Sequence, residues 1–137
     1  MSAAETPIRS ALVTHLNTLG SLPPVAWENV PYTPVIGTMY IRPVLLPAET
    51  FQAEIGTLGQ NEHTGVYQIS IFAPIGIGTL TAYTLRDALI NHFKRGTTLV
   101  YSGVTTKILK CYCNSDIQET DWLHIPINIR YSAHAAN

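Results

Sequence analysis

Charge is what this chain has least of. Asp, Glu, Lys and Arg make up 12% of its 137 residues, about half the ~25% usual in soluble domains. Hydrophobic residues reach 46%, and disorder, which needs low hydrophobicity and high charge, is excluded. The net charge of −1 is spread without a basic stripe, so the electrostatic footprint of a nucleic-acid binder is missing. No apolar run approaches the ~18 residues that a membrane span requires, and no membrane partner is expected. The opening stretch MSAAETPIRSALVTHLNTLG lacks a basic region followed by an apolar one. It does not read as a signal peptide, and residence in a cytoplasm is expected. A surface so poor in charge points to partial cover by another chain.

Cysteine is scarce too. Cys111 and Cys113 are the only two, and in a strand residues i and i+2 share a face. They read as two small buried apolar residues, because one C-x-C supplies too few ligands for a metal. His15, His63, His92, His124 and His134 show no ligand spacing among themselves. No metal and no cofactor is expected.

What the chain does have is periodicity. Ile8, Leu12, Leu16 and Leu19 recur at helical spacing over residues 6–19. Thr6 caps this helix, Pro7 suits its first turn and Gly20 stops it. A capping box from Ser2 to Glu5 offers a second start. Pro23, Pro24, Pro31 and Pro34 keep the next segment out of helix, although Val25-Ala26-Trp27 can pair briefly. Thr38 to Leu46 reads as a strand with Pro43 at an edge or bulge. Residues 50–64 are polar, with Gly56 and Gly59, and read as a long hairpin or arm. GVYQISIFA is a strand with Tyr67, Ile69 and Ile71 on one face and Gln68 and Ser70 on the other; Phe72 breaks the pattern. A second helix over 80–94 turns Leu85, Ala88, Leu89, His92 and Phe93 inward, and Lys94, Arg95 and Gly96 close it. TTLVYS and VTTKILKCYCNS follow as strands joined by a Ser102-Gly103 turn. In DWLHIPINIRYS, Leu123, Ile125, Ile127, Ile129 and Tyr131 face inward, and Pro126 suggests another edge or bulge. No repeat or low-complexity segment interrupts residues 1–137, which suit one domain. The expected fold is α+β, a mostly antiparallel sheet with two main helices packed on one face.

The chemical motifs fail one by one. FAPIGIGTLTAYTLRDALINHF (Phe72–Phe93) joins strand to helix through glycines, as phosphate sites do. A dinucleotide fingerprint needs G-x-G-x-x-G, and Thr81 stands at the third glycine. A P-loop needs Lys after its last glycine, and none lies between Gly65 and Lys94. The loop reads as a tight corner before a helix capped by Thr79. Asp116, Glu119 and Asp121 fall in a polar turn where carboxylates are solvated. No G-x-S-x-G elbow occurs, and Cys113, free on a strand, is a poor nucleophile unless a distant histidine or a helix dipole lowers its pKa. An interaction protein is expected rather than an enzyme. Trp27 and Tyr32, set among prolines, are either interface aromatics or covers lying flat on their own core.

Four blocks carry a resemblance. They are the N-terminal amphipathic helix leading into PVAWENVPYTP, MYIRPVLLPAE before a polar arm, HTGVYQISIFAPIGIGTLTAYTLRDALINHF, and KRGTTLVYSG with two closing strands. Together, over residues 6–132, they resemble the tail terminator family of long-tailed, lambda-like bacteriophages. The resemblance implies a compact α+β structural protein without catalysis or cofactor, located at the head-proximal end of the virion tail after assembly in the host cytoplasm. It implies a homo-hexameric ring that stops addition of the major tail tube protein and presents a surface to head-completion or connector proteins. DNA would pass through the ring without specific binding, to which a near-neutral chain is suited. The arm is the candidate for reaching a neighbour or lining the hole, with Phe51, Gln52, Glu54, Gly56, Gly59, Glu62 and His63 as its interface residues. Other readings are a different neck component, such as a head-completion or head–tail joining protein, and a small enzyme or ligand-binding domain using the 72–82 loop.

Overall fold

The computed structural model describes residues 5–20, 22–28, 30–52, 60–76 and 80–136. In chain order they form α1 (Glu5–Asn17), β1 (Tyr40–Gln52), β2 (Gln60–Pro74), α2 (Leu80–His92), β3 (Thr98–Tyr101), β4 (Val104–Cys113), β5 (Ile117–Gln118) and β6 (Trp122–Ala136). The six strands make one antiparallel sheet in the order β1-β2-β6-β4-β3, with β5 paired to β6. The class is α+β, as expected. Beside β1, Val25 forms a parallel bridge with Ile41, so the brief pairing expected of the proline-rich segment is present.

The inward rows are those the alternation picks out. Tyr67, Ile69 and Ile71 of β2 and Ile125, Ile127, Ile129 and Tyr131 of β6 join one buried cluster with Ile41 and Leu45. Ile8, Leu12 and Leu16 of α1 enter the same cluster, as do Ala82 and Leu89 of α2 and Phe93 just beyond it. Each Leu, Ile or Phe among them contributes about 1.5–3 kcal/mol on burial. Phe72, which broke the polarity of β2, belongs to a second cluster with Ala26 and Tyr40. Tyr32 packs on this second cluster and Trp27 on the first, so both aromatics cover their own core.

Two prolines show how the ladder tolerates a missing N–H. The Ile41 N–H and C=O bond to Pro24 and Ala26, away from β2. Pro43, two residues on in the same edge strand, therefore points its nitrogen outward too. Pro126 corrects an expectation: it lies within β6, a central strand, opposite Ser70 of β2. Its carbonyl accepts from the Asn114 N–H at 3.1 Å, so its nitrogen also faces that side. The named pairing with β4 ends beside it at Cys113↔Ile127, and no bond of the β2 ladder is lost.

An irregularity between Ile108 and Lys110 inserts Leu109 into β4 opposite β6. Such a bulge shifts which residues face inward. Val104, Thr106 and Ile108 are buried before it, and Cys111 and Cys113 pack against the core after it. At the β3–β4 corner Ser102 (φ 51°) and Gly103 (φ 81°) both adopt left-handed backbone, the two-residue hairpin geometry that matches strand twist.

The ends of the helices are clasped by a reciprocal histidine pair. The rings of His15 and His92 stack with centroids 4.0 Å apart and 10° between planes. His15 Nε2 lies 2.8 Å from the His92 carbonyl, and His92 Nε2 lies 2.6 Å from the His15 carbonyl. A carbonyl only accepts, so each Nε2 carries the hydrogen and donates. Burial first, with the neighbouring His92, holds the His15 pKa below its ordinary 6.5, opposed in part by the bond to the His92 backbone. Burial also lowers His63 and His124.

Two predictions follow from this packing. At Gly65, opposite both Pro47 and Tyr131, an added Cβ would lie 2.6 Å from the Tyr131 hydroxyl and 2.7 Å from the Leu46 carbonyl. Gly65→Ala should destabilise by about 1–3 kcal/mol, read as a lower urea midpoint at unchanged m-value; an unchanged midpoint would contradict the close approach. The second concerns pH. The unfolded chain takes up protons near pH 6.5, which the folded His15, His63 and His124 resist. Their contribution is therefore complete above that pH and is lost as pH falls through their lowered native values. Thermal melts should shift down between pH 8 and 5, and His15→Gln should flatten that slope while costing stability at pH 8.

Candidate assembly surfaces

The residues singled out for chemistry do not converge. Ile75 donates its N–H to the Asp121 carbonyl at 3.3 Å, fastening the corner after β2 to the turn before β6. Gly76 has φ 93°, the left-handed backbone that glycine tolerates best. Ile77, Gly78 and the expected cap Thr79 lie outside the described residues. Asp116 accepts a hydrogen bond from the Tyr83 hydroxyl, whereas Glu119 lies 3.8 Å from His124 Nδ1. The carboxylates of Asp116 and Glu119 are thus engaged separately, and Asp121 takes part through its backbone. Burial, with the adjacent Cys113, raises the Cys111 thiol to about 11, and burial raises Cys113 as well. Neither thiol has the depressed pKa of a nucleophile. Among the described residues no three His, Cys, Asp or Glu side chains gather as a metal site.

The arm residues are divided. Phe51 and Gln52 pair with Glu62 and Asn61, and Thr50 with His63, so the two ends of the segment form a β1–β2 ladder. His63 is 8% exposed. The Glu62 carboxylate accepts from the Ser132 hydroxyl at 3.0 Å and lies 3.7 Å from His134 Nε2. Glu62 and His63 are therefore held in the sheet. Glu54, Gly56 and Gly59 lie outside the described residues.

Three surfaces that the sequence reading did not single out remain. The first is a groove of about 630 Å³ along α2, walled by Leu19, Leu22, Pro23, Met39, Leu80 and Leu85. Its ten lining residues include no charged side chain, and Leu80 is 82% exposed. The second is the edge strand β3, where Val100 is 68% exposed and Tyr101 stands open beside it. A shallow cavity of about 230 Å³ separates this strand from Thr14 and His15 of α1 and Thr18 just beyond it. The third is a pocket of about 530 Å³ between the 26–32 segment and Arg42 and Val44 of β1. Beneath it runs an aromatic pile: Tyr32 on Tyr40 at 5.0 Å, Tyr40 on Phe72 at 4.9 Å and Phe72 on His124 at 4.6 Å. One signal was available for β3, since in the run Leu99-Val100-Tyr101 alternation must turn an apolar residue outward. Leu80 lies off the apolar stripe of α2, and no signal marked it as part of a groove.

A comparison with protein families matches residues 7–131 to one described as phage tail terminator protein. The chain belongs to the phage tail terminator family. It is thereby placed among the structural proteins of phage tails. Among solved structures, a chain without a functional name shares 22% identity at a TM-score of 0.77, covering 96% of both chains. A chain from the virion of a native gene transfer agent particle shares 20% identity at a TM-score of 0.62, over 98% of this chain and 100% of that one. At these identities the likeness is one of fold. No curated protein matches.

Proposed function

We propose that this protein forms a head-to-tail homo-hexameric ring on the head-proximal end of the tail tube, ends tube growth there and offers its far side to head-completion or connector proteins. DNA passes through the ring, and no catalysis or cofactor takes part. Membership of the terminator family over residues 7–131 carries this reading, and the occurrence of the same fold in a chain from a gene transfer agent virion supports it. In this reading both helices pack on one face of the sheet, and the arm at 50–64 reaches a neighbour or the lumen.

The surfaces suit such an assembly. A ring joins one patch of a protomer to a different patch of the next. The groove beside Leu80 and the β3 edge at Val100 and Tyr101 are separate, apolar and without charged lining residues. Oligomer contacts concentrate apolar area and exclude charge from their centre. We assign the ring contact to these two surfaces.

Leu80→Glu and Val100→Lys should each leave the circular dichroism spectrum and melting temperature nearly unchanged, because both side chains are exposed. Each should abolish rings in negative-stain images and capping of tubes grown from purified tail tube protein; rings from both variants would overturn the assignment. Since Glu62 and His63 are tied into β2, the arm is tested by replacing only residues 53–59 with a short glycine–serine turn. The expected product is folded but caps tubes poorly, and full capping would remove the arm from the mechanism. Binding to the portal instead of the tube end would identify a different neck component.

A further inference from the structure

We propose that the pocket beside β1 receives an acidic segment of the tail tube protein, with a carboxylate of that segment held by Arg42. The inference rests on the assembly reading above and names the partner of a surface which that reading leaves unassigned. The two ring surfaces are apolar and do not include Arg42, so this pocket is open to a different partner.

The charge in the pocket is unmatched. Two charged residues line it, Glu28 and Arg42. Glu28 is neutralised by an ion pair with Arg9. Arg42 has no carboxylate partner among the described residues; its guanidinium lies 5.5 Å from the centre of the Phe72 ring. A guanidinium resting on an aromatic face keeps its fork of donors free for a planar anion, and carboxylates match that fork bidentately. Beside it, Trp27, Pro31 and Tyr32 give walls of little side-chain freedom, which lowers the ordering cost of an apolar neighbour on the incoming segment.

The shape of the edge limits how that segment enters. Ile41 already spends its N–H and C=O on Pro24 and Ala26, and Pro43, next along the outer side of β1, has no N–H to give. Strand addition is blocked over this stretch, so recognition runs through side chains. A phosphate backbone is a poor fit, because nucleic-acid binding tracks clustered cations and a single unmatched arginine lines this pocket.

The test measures binding of the full chain to the ends of tubes polymerised from tail tube protein, from low to high NaCl, for wild type, Arg42→Gln and Arg42→Lys. Arg42→Gln should bind roughly 10-fold more weakly at low salt and lose most of the salt dependence that wild type shows. Arg42→Lys should keep the salt dependence but recover only part of the affinity. Melting temperatures should agree among the three, since Arg42 is exposed. Equal affinity and equal salt dependence of Arg42→Gln and wild type would overturn the pocket assignment and leave the capping role intact. Loss of duplex-DNA binding in Arg42→Gln parallel to its loss of tube binding would overturn it in favour of a phosphate. Failure of wild type to bind tube ends would instead overturn the assembly reading, and the pocket assignment with it.

Discussion

The pairing of β2 with β6 is the contact on which the rest of the molecule depends. The two strands run together from Gln60↔Ala136 to Pro74↔Trp122, and the rest of the sheet is built outward from them. β1 adds to the free side of β2, while β4 and β5 add to the free side of β6. The inward row Ile125, Ile127, Ile129, Tyr131 and Ala133 is almost wholly shut off from water. It belongs to the buried cluster that residues of both helices also enter. Gly65 sits where this arrangement is tightest, directly opposite Tyr131, and the glycine in a strand interior marks that close approach.

A sheet so centred has its functional consequences at its margins. The edge strand β3 shows Val100 and Tyr101, and β1 with the 24–26 segment carries the aromatic pile, Arg42 and the pocket above it. These margins are managed differently. Pro43 blunts β1 against strand pairing, whereas β3 is short and leaves Val100 and Tyr101 open, with Lys107 opposite Thr98 at its other end. It is at this open edge that the proposed ring contact falls. That is the physical form of the hint the composition gave.

Particular residues show how far the sequence was legible. Tyr67, Ile69 and Ile71, and likewise Ile125 through Tyr131, were readable because a strand buried on one side enforces a period of two. The Ser102-Gly103 corner was readable because few residues accept its backbone. Pro126 was read as a mark of an edge or a bulge and lies in a central strand, because the cost of its missing N–H depends on which neighbour ends beside it. Trp27 and Tyr32 were left undecided, since what they cover is set by the fold: Trp27 packs on the main cluster and Tyr32 on the one that holds Phe72. The role given to Glu62 and His63 was read from polarity and glycine content, whereas the ladder holds both in β2.

Determined by the sequence alone were the strand and helix periods, the α+β class, the absence of phosphate-binding and catalytic signatures, and the resemblance to terminators. All of these rest on local spacing or residue type. The tertiary structure decided which apolar residues remain outside. Local pattern hints that Leu80 lies off its stripe and that one residue of Leu99-Val100-Tyr101 turns outward, but only the packing of their neighbours places Leu80 beside a groove and Val100 at an open edge. The same holds for Arg42. Its charge is visible in the sequence, but the capture of Glu28 by Arg9, which leaves that charge unmatched in its pocket, is a contact between residues far apart in the chain, and no local pattern records it.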